Sequence, residues 1–378
     1  MEKIRVINVI SDSNIGGAGN MLLSFMRLTD RDVFEHLVVV PRNALLLPEL
    51  ERMGIAAVTL PGLAEKSLDW GSVEQLRKLF KQWKPDIVHT HASMSARIAA
   101  RLYGKCKVVY TRHSVFDQPP ADKSFPRKQL KGFINNSLAD TIIAVSPAAG
   151  ENLTETGTSP DKIQVVFNGV DPVPVLSPAE KGQVLQSYGL SPADFVCAVI
   201  ARLEAVKGHE YILEAAAMLR NYADIKILIA GTGGMEQALC QKAHDMRLTD
   251  TCIFTGFIKD IGRLENIMDL QLNASYGTEA TSLSLLEGMS LGIPAVVSDF
   301  GGNPYVIRHG ENGLVVPKRN AGALAEGILR LHQNPAEYEA MRRRAREIYA
   351  ERFTSGAMVA QVEEIYKRLA AGQPERKR

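Results

Sequence analysis

The chain has 378 residues, of which 46% are hydrophobic and 23% are charged, an ordinary composition for a globular protein. Its 44 basic and 42 acidic residues give a formal net charge of +2, which excludes the strongly basic surface of a general nucleic-acid-binding protein. A single hydrophobic core rarely serves a chain of this length, and we therefore expect two domains.

Neither the cysteines nor the apolar runs indicate a secreted or membrane-spanning protein. Cys106, Cys197, Cys240 and Cys252 show no CxxC spacing and no adjacent histidine cluster, so we expect buried thiols in a reducing cytoplasm. The first residues, MEKIRVINVISDS, enter a strand pattern without a signal-peptide segment. No apolar run reaches the roughly 18 to 20 residues of a spanning helix. We expect a cytoplasmic protein, at most peripheral to the inner face of a membrane.

In the first half of the chain, short apolar runs alternate with amphipathic helical stretches, which is typical of parallel sheets covered by helices. Helices are predicted over residues 72–84 and 94–102, among others. The predicted strands are residues 4–10, 36–40, 56–59, 87–89, 107–111, 141–145 and 163–166. The pattern breaks at residues 168–174, NGVDPVP, because two prolines and a glycine disfavour both helix and central strand.

The same alternation starts again after this break. The predicted strands are residues 195–200, 226–230, 252–255, 269–274, 295–298 and 313–316. The predicted helices are residues 210–219, 235–246, 282–291, 321–332, 336–352 and 355–369. The pattern predicts an α/β protein of two doubly wound, Rossmann-like domains, 1–170 and 171–354, which face each other across a cleft. Ligands of such sheets bind beyond the carboxyl ends of the strands, so the loops there should carry the chemistry.

Two features of the first domain lie at predicted strand ends. Gly16 and Gly17 stand in the small-residue turn SNIGGAG, where backbone N–H groups and a helix start could approach an anion; a tight structural turn is an equal alternative. His89 and His91 end one strand, and His113 ends the next. Strand-end histidines are usually structural, but two adjacent strands that bring histidines to one edge favour a site.

Two basic residues of the second domain follow the strand 195–200. Arg202 and Lys207 stand in the segment ARLEAVKG and are therefore placed at the carboxyl end of the second sheet. A guanidinium group and an ammonium group together suit a diphosphate, whose charge they would offset as it departs. Taken alone, the segment could equally be an exposed basic loop.

Two glutamates, Glu279 and Glu287, stand eight positions apart where a predicted strand passes into a helix. A span of eight positions is about 12 Å if it is all helical, so the carboxylates could grip different parts of one ligand. Thr281 and Ser282 would offer capping hydroxyls, and free N–H groups nearby would face a phosphate. A capping glutamate plus a surface glutamate is the alternative. Glu287, however, stands in a run of Leu, Gly and Met, where an unpaired carboxylate is costly.

Together these motifs resemble family 4 of the retaining glycosyltransferases, which have the GT-B fold. The matches cover nearly the whole chain, in the right order and spacing. They are Gly16-Gly17, Pro85-Asp86-Ile87-Val88-His89, Thr111-Arg112-His113, Ala144-Val145-Ser146, Asn168-Gly169-Val170-Asp171, Arg202 with Lys207-Gly208, Gly231-Thr232-Gly233, Gly256-Phe257 and the E-x7-E pair.

The resemblance implies that the second domain holds a nucleotide-sugar donor and that the first holds the acceptor. Arg202 and Lys207 would bind the diphosphate and stabilise the leaving nucleotide. Glu287 would accept hydrogen bonds from the ribose hydroxyls, and Glu279 would hold the donor sugar. His113 would face the reacting sugar carbon. The other implied donor contacts are Gly16, Gly17, Gly256, Phe257, Ile258, Ser282 and Leu283.

Within that set, the segment 256–258 would contact the base, Ser282 and Leu283 would reach sugar and phosphate, and Gly16 and Gly17 would line the cleft beside the diphosphate. The resemblance also implies that residues 355–378 pack back onto the first domain. Many relatives have Phe-Gly where this chain has Thr281-Ser282, a departure that could alter which sugar hydroxyls are recognised.

The resemblance implies transfer of a hexosyl unit with retention of the anomeric configuration. No DxD motif stands at a suitable strand end, and the family works without a metal, so we expect neither metal nor cofactor. We expect a UDP-sugar donor and a saccharide or lipid-linked acceptor in cell-envelope polysaccharide or glycolipid synthesis. GDP-mannose and ADP-glucose stay open as donors. Residues 117–136 mix basic with apolar side chains and predict either peripheral contact with anionic lipid or a solvated covering helix.

Two other functions stay open at this point. A GT-B sugar-nucleotide epimerase shares the architecture but transfers nothing, and it would convert the donor without an acceptor. A non-catalytic GT-B scaffold subunit would be expected to lose the diphosphate or ribose contacts, whereas the motifs for both are present.

Overall fold

The computed structural model describes residues 2–63 and 68–372, which form two compact units. Within these residues, unit 1 comprises 2–114, 118–169 and 355–372, whereas unit 2 comprises 115–117 and 170–354. Each unit is built on one parallel sheet with helices on both faces.

The described strands and helices follow the predicted alternation. The strands β1 to β13 are Ile4–Ile10, Phe34–Pro41, Ala56–Leu60, Ile87–His91, Lys107–Arg112, Thr141–Ala144, Ile163–Val165, Phe195–Ile200, Ile225–Ala230, Cys252–Gly256, Leu270–Asn273, Ala295–Ser298 and Gly313–Val316. The helices α1 to α15 are Gly17–Leu28, Leu47–Arg52, Trp70–Trp83, Met94–Tyr103, Arg127–Leu138, Pro147–Glu155, Pro178–Ser187, His209–Met218, Glu236–Asp245, Ile261–Glu265, Leu283–Ser290, Asn303–Val306, Ala321–Gln333, Pro335–Arg352 and Ser355–Ala371. The strand ends differ from the predicted ones by at most two residues.

The sheet of unit 1 has the order β3-β2-β1-β4-β5-β6-β7, and all its pairs are parallel. The order reverses between β1 and β4, so the carboxyl ends of these strands border the crevice where doubly wound sheets bind ligands. Alternate residues of β4 face opposite sides: Ile87 belongs to one apolar core and Val88 to the other. Burial on both faces explains why the strands read as nearly continuous apolar runs.

The last helix, α15, packs on α1 and β4 within unit 1. Its apolar face contributes Met358, Val362 and Tyr366 to the core that also contains Phe25. Polar contacts fix its position as well, because Glu363 accepts hydrogen bonds from Thr29 Oγ1 at 3.0 Å and from the backbone N–H of residue 30 at 2.8 Å. Helix α15 is therefore an integral part of the fold of unit 1.

The sheet of unit 2 has the order β10-β9-β8-β11-β12-β13, again with parallel pairs. Here the order reverses between β8 and β11. One face carries an apolar core beneath α8, α9 and α13, and the other face carries the apolar residues of α7 and α10. The loops that follow β8 and β11 contain Arg202, Lys207 and Glu279, and they therefore flank the switch point of this sheet.

Two features are absent from the described residues. No helix there is long and apolar enough to cross a membrane. No three histidine, cysteine or acidic side chains are grouped there as metal ligands.

Candidate functional site

The centre of the candidate site is a buried ion pair in unit 2. Lys207 Nζ lies 2.9 Å from Glu279 Oε2 and donates a second hydrogen bond to the carbonyl oxygen of Thr278 at 3.1 Å. The two side chains are only 15% and 9% exposed. The structure thus brings together two residues that stand 72 positions apart and that the motifs predicted to belong to one site.

The other hydrogen bonds of the Glu279 carboxylate also go to Oε2. Asn273 Nδ2 donates to this oxygen at 3.1 Å and Ser275 Oγ donates at 3.3 Å. Oε1 accepts no hydrogen bond from the described residues, so it can accept one from a ligand hydroxyl. The Lys207 ammonium group likewise has a third N–H left after its two contacts, and that proton can reach an anionic oxygen.

Glycines let the two loops approach each other and the neighbouring backbone. Gly208 has φ +72°, and a Cβ on it would lie 2.1 Å from the carbonyl oxygen of Ala274. A Cβ on Gly301 would lie 2.0 Å from the carbonyl oxygen of Glu279, and one on Gly302 would lie 1.6 Å from that of Ala280. The Glu279 loop is thus seated on a backbone that admits no side chain.

Replacing Gly302 with alanine is expected to displace this loop, because backbone atoms cannot yield as a flexible side chain does. We expect a loss of about 1–3 kcal/mol in the free energy of unfolding, and a fall in the rate of the reaction at this site even at 25 °C, where the variant is still folded. Calorimetry and initial rates measure the two effects. Gly356→Ala is the control, since nothing lies within 4 Å of its added Cβ. Wild-type rates for Gly302→Ala would contradict the seating of the loop.

The helix α11 begins directly after this loop, and Ser282 is its N-cap residue. The expectation that the Ser282 hydroxyl caps the helix was wrong, because it makes no hydrogen bond to a helix N–H and instead lies 3.0 Å from Ser284 Oγ. Ser284 Oγ in turn donates to the carbonyl oxygen of Ile200, at the end of β8. The first N–H groups of α11, beginning with Leu283, therefore have no side-chain cap in the described structure and can meet a phosphate.

The span of about 12 Å given above assumed that all the residues between the two glutamates are helical. In the structure Glu279 precedes α11, and only Glu287 lies on it. Gln271 of β11 holds the helix in place by donating to the carbonyl oxygens of Leu285 and Ile293. The amide of Gln271 fills the space beside Gly288, where a Cβ would lie 2.3 Å away.

Arg202 follows β8 and is exposed, and among residues 2–63 and 68–372 it has no ion-pair partner. Its guanidinium group is therefore available to an anion at the edge where Lys207 lies. The two basic residues differ in their surroundings: Lys207 is held in the site by Glu279, whereas Arg202 is exposed.

Glu287 is half-buried, and its carboxyl group lies beside the carboxyl group of Glu265, the last residue of α10. Glu265 is fully buried. Burial, together with the nearby acidic groups of Glu287 and Asp260, raises the pKa of Glu265 to about 9. The pKa of Glu287 is raised as well, because burial outweighs the opposing effect of the neighbouring Glu265. Glu265 is therefore neutral near pH 7.

The segment predicted to meet the base ends β10. Gly256 has φ +68°, a left-handed conformation that favours glycine, and its carbonyl oxygen accepts a hydrogen bond from the N–H of Gly231. Phe257 is 77% exposed, and Ile258 packs against the apolar core beside α10. At about 4.8 Å per strand, β10 lies roughly 10 Å from β8 along the sheet.

In unit 1, Gly16 is the N-cap residue of α1 and Gly17 is the first residue of that helix. No side chain of the described residues caps the helix, so its first N–H groups are open at the β1 end of the switch point. Gly19 packs against Leu46, which fixes how the helix leaves the sheet. The roles that the resemblance gives to Gly16 and Gly17 stay predictions.

The three strand-end histidines divide into a structural residue and a linked pair. His89 Nδ1 lies 2.5 Å from Tyr366 Oη and His89 Nε2 lies 2.6 Å from Thr111 Oγ1, so both ring nitrogens are used inside unit 1. His89 therefore anchors α15 to the sheet, and neither of its ring nitrogens is left for a ligand. His91 Nδ1 lies 2.9 Å from His113 Nε2, with the rings stacked.

His113 keeps one unused ring nitrogen. Its Nδ1 atom has no hydrogen-bond partner among the described residues, and the same holds for His91 Nε2. Burial lowers the pKa of His113 to about 4 and that of His91 well below its usual value, so both rings are neutral at pH 7. His113 can donate or accept one hydrogen bond there, but it does not supply a positive charge. Its role towards a sugar stays a prediction.

Sequence reasoning missed Glu265, Asn273 and Ser275. Asn273 and Ser275 stand at the end of a predicted strand, four to six positions before Glu279, and strand-end polarity could have indicated them. Glu265 gave no comparable signal, because its partner Glu287 is 22 positions away on another helix.

Comparisons with known proteins agree with this geometry. The profile of "Glycosyltransferase Family 4" matches residues 15–173, and that of "Glycosyl transferases group 1" matches residues 182–348. Together they cover most of the chain. The chain belongs to glycosyltransferase family 4. The predicted family is thereby confirmed, and so is the GT-B fold: the Anabaena protein HepE, solved in complex with UDP and glucose, superposes with a TM-score of 0.84 at 21% identity over 97% of this chain and 100% of that one.

Two relatives are similar to this chain over most of their length. A putative glycosyltransferase of Bacillus subtilis, EpsD, is 27% identical over 77% of this chain and 79% of its own length. An Escherichia coli enzyme is 28% identical over 87% of this chain and 88% of its own length; it is a UDP-Gal:alpha-D-GlcNAc-diphosphoundecaprenol alpha-1,3-galactosyltransferase.

Proposed function

We propose that this glycosyltransferase transfers a hexosyl unit from a UDP-sugar to a saccharide or lipid-linked acceptor, with retention of configuration and without a metal ion. The observation that carries the proposal is the buried Lys207–Glu279 pair at the switch point of unit 2. It places a cation and a carboxylate with a free oxygen side by side, as a diphosphate joined to a sugar requires.

The diphosphate would meet three sources of positive charge in unit 2. Lys207 has one N–H to spare, Arg202 is exposed, and the uncapped start of α11 adds the partial charge of its N–H groups. Such groups stabilise the negative charge that develops on a leaving nucleotide. This set supports transfer without a metal ion, since the protein itself supplies the charge that a cation would otherwise supply.

The donor sugar would be held by Glu279 and the ribose by Glu287. Glu279 binds Lys207, Asn273 and Ser275 through one oxygen, an arrangement that suits a group which orients hydroxyls. We therefore assign Glu279 to sugar binding and not to nucleophilic attack, which supports front-face attack by the acceptor and retention. The UDP-dependent E. coli relative supports UDP as the nucleotide.

A direct experiment tests this proposal. The protein is incubated with UDP-glucose, UDP-galactose or UDP-N-acetylglucosamine and a panel of saccharide and diphosphoundecaprenol-linked acceptors, with and without EDTA. We expect UDP release that depends on the acceptor and is insensitive to EDTA, and proton NMR of the product should show the donor's α configuration. Donor conversion without an acceptor would indicate an epimerase instead. An inverted product, or loss of activity in EDTA, would contradict the assigned mechanism.

A lipid-linked acceptor would bring the protein to a membrane surface, and α5 in unit 1 suits that location. Phe125, Leu130 and Phe133 are 79%, 60% and 70% exposed, and Lys128 has no ion-pair partner among the described residues. The helix docks through Gly132, where a Cβ would lie 2.2 Å from a backbone oxygen of unit 1, so its aromatic side is left outside the core. We propose peripheral contact with the cytoplasmic leaflet through this segment.

Sedimentation with lipid vesicles tests this contact. The wild type is expected to sediment with phosphatidylglycerol vesicles more than with phosphatidylcholine vesicles, because basic and aromatic side chains favour an anionic interface. The double variant Phe125→Ser and Phe133→Ser should lose most of this binding. Trp70→Ser, which removes another exposed aromatic side chain of unit 1, is the control. Unchanged sedimentation of the double variant would contradict the proposed contact.

A further inference from the structure

The carboxyl group of Glu265 occupies an unusual environment in unit 2. It is fully buried, and no N–H group or neutral hydroxyl of the described residues is hydrogen bonded to either of its oxygens. Its partner is the carboxyl group of Glu287, across the gap between α10 and α11. A fully buried carboxyl group and a half-buried one that lie side by side cannot both be ionised without a large electrostatic cost, so the pair shares a proton.

The surroundings decide which glutamate keeps that proton. Glu265 is preceded by Leu264 and followed within three positions by Ile267 and Met268, all in the apolar core of that face. The other charged group that acts on Glu265 is Asp260, which is also acidic. Glu265 is therefore the better site for the neutral form, and Glu287, which is half-buried, is the better site for the charge.

Packing alone does not account for a carboxyl group at position 265. A leucine or methionine there would fill similar space without burying a titratable group, and buried polar groups are costly unless they are satisfied. The carboxyl group of Glu265 has a function if the side chain of Glu287 must be held in one rotamer. A glutamate on a helix surface samples several rotamers, whereas one that accepts a hydrogen bond from a fixed acid has its carboxylate plane set.

We propose that Glu265 is a positioning residue: its protonated carboxyl group donates to Glu287 and aims the remaining lone pairs of that carboxylate at the ribose hydroxyls of the donor. This inference rests on the ribose role proposed above for Glu287. It makes recognition of a ribonucleotide depend on a residue that does not itself touch the nucleotide.

Binding of UDP and of 2′,3′-dideoxy-UDP tests the inference in the full chain by titration calorimetry. The ratio of the two dissociation constants reports the ribose hydroxyls. We expect the wild type to favour UDP by about ten- to a hundredfold, as for hydrogen bonds to a charged group. Glu265→Leu and Glu265→Met should reduce this ratio to a fewfold. Glu265→Gln, whose amide N–H can still donate to Glu287, should keep most of it, and the exposed Glu326→Gln should leave it unchanged.

The possible results separate a failure of the positioning role from a failure of the donor-site assignment. A wild-type ratio in Glu265→Leu and Glu265→Met would overturn the positioning role, and so would a ratio lost equally in Glu265→Gln. A purely structural role would weaken both nucleotides alike and leave the ratio unchanged. If the wild type does not bind UDP, or if Glu287→Gln leaves the wild-type ratio unchanged, the donor-site assignment of Glu287 fails instead, and the two failures are therefore distinguishable.

Discussion

Lys207→Ala is expected to lower kcat/KM for glycosyl transfer by about 10²- to 10³-fold, the range measured when one preorganised donor to a developing anion is removed. Two effects act together in this variant. The diphosphate loses an ammonium group, and Glu279 loses its ion-pair partner at 2.9 Å. Initial rates at saturating acceptor, over a range of donor concentrations, give the measurement.

The loss of the ion pair also affects folding, and this must be separated from catalysis. Removing one partner of a buried pair costs up to about 3–5 kcal/mol, so unit 2 of Lys207→Ala should melt at a lower temperature. Lys242→Ala is the matched control, because Lys242 also pairs with a glutamate, Glu214, at 2.7 Å, but on the exposed surface of unit 2. Arg202→Ala removes a cation without breaking a described ion pair and should lose activity without loss of stability. Wild-type rates in both Lys207→Ala and Arg202→Ala would contradict the diphosphate site.

Glu265→Gln is expected to stabilise unit 2 at alkaline pH. In the folded protein the pKa of Glu265 is raised from its usual 4.5 to about 9, whereas the unfolded chain ionises this group near 4.5. Between these values the unfolded state binds fewer protons, so the stability contributed by the neutral acid is present below pH 4.5 and is lost as pH rises towards 9. The loss can reach about 1.4 kcal/mol per pH unit. Glutamine does not titrate, and the variant should escape this loss.

The difference in free energy of unfolding between Glu265→Gln and wild type should be near zero at pH 4.5 and several kcal/mol at pH 9. Both tryptophans, Trp70 and Trp83, lie in unit 1, so their fluorescence does not report unit 2. Scanning calorimetry across this pH range is the suitable measurement. Glu326→Gln, at an exposed position, should follow the wild type throughout. A difference that does not change with pH would mean that Glu265 is ionised in the folded protein.

The strands could be predicted closely because each is a short apolar run bounded by turn residues, and burial on both faces leaves little doubt about its extent. Some helices were harder to predict from the sequence. α7, Pro178–Ser187, was not predicted although Ser177 and Glu180 form a capping box at its start, a signal that the sequence contains. α10 has five residues and no amphipathic period, so its presence depends on the packing of unit 2.

The site residues also differ in whether the sequence could predict them. Glu279 and Lys207 could be assigned from motif spacing, and the structure brings their side chains into contact. The partner of Glu287 could not be predicted, since Glu265 reaches it from another helix and its neutral form depends on burial. His89 shows the opposite case: its position at a strand end indicated a site, but Tyr366, 277 positions away, uses its ring nitrogen within the core.

Amide hydrogen exchange of the full chain with and without saturating UDP tests the central claim most directly, because it locates the bound nucleotide. We predict slower exchange in residues 202–208, 256–258 and 282–287 of unit 2, which carry the diphosphate, base and ribose contacts. In Lys207→Ala the same segments should need a higher UDP concentration for equal protection. Protection confined to other segments, or none at a concentration where calorimetry shows binding, would contradict the assignment of the nucleotide site.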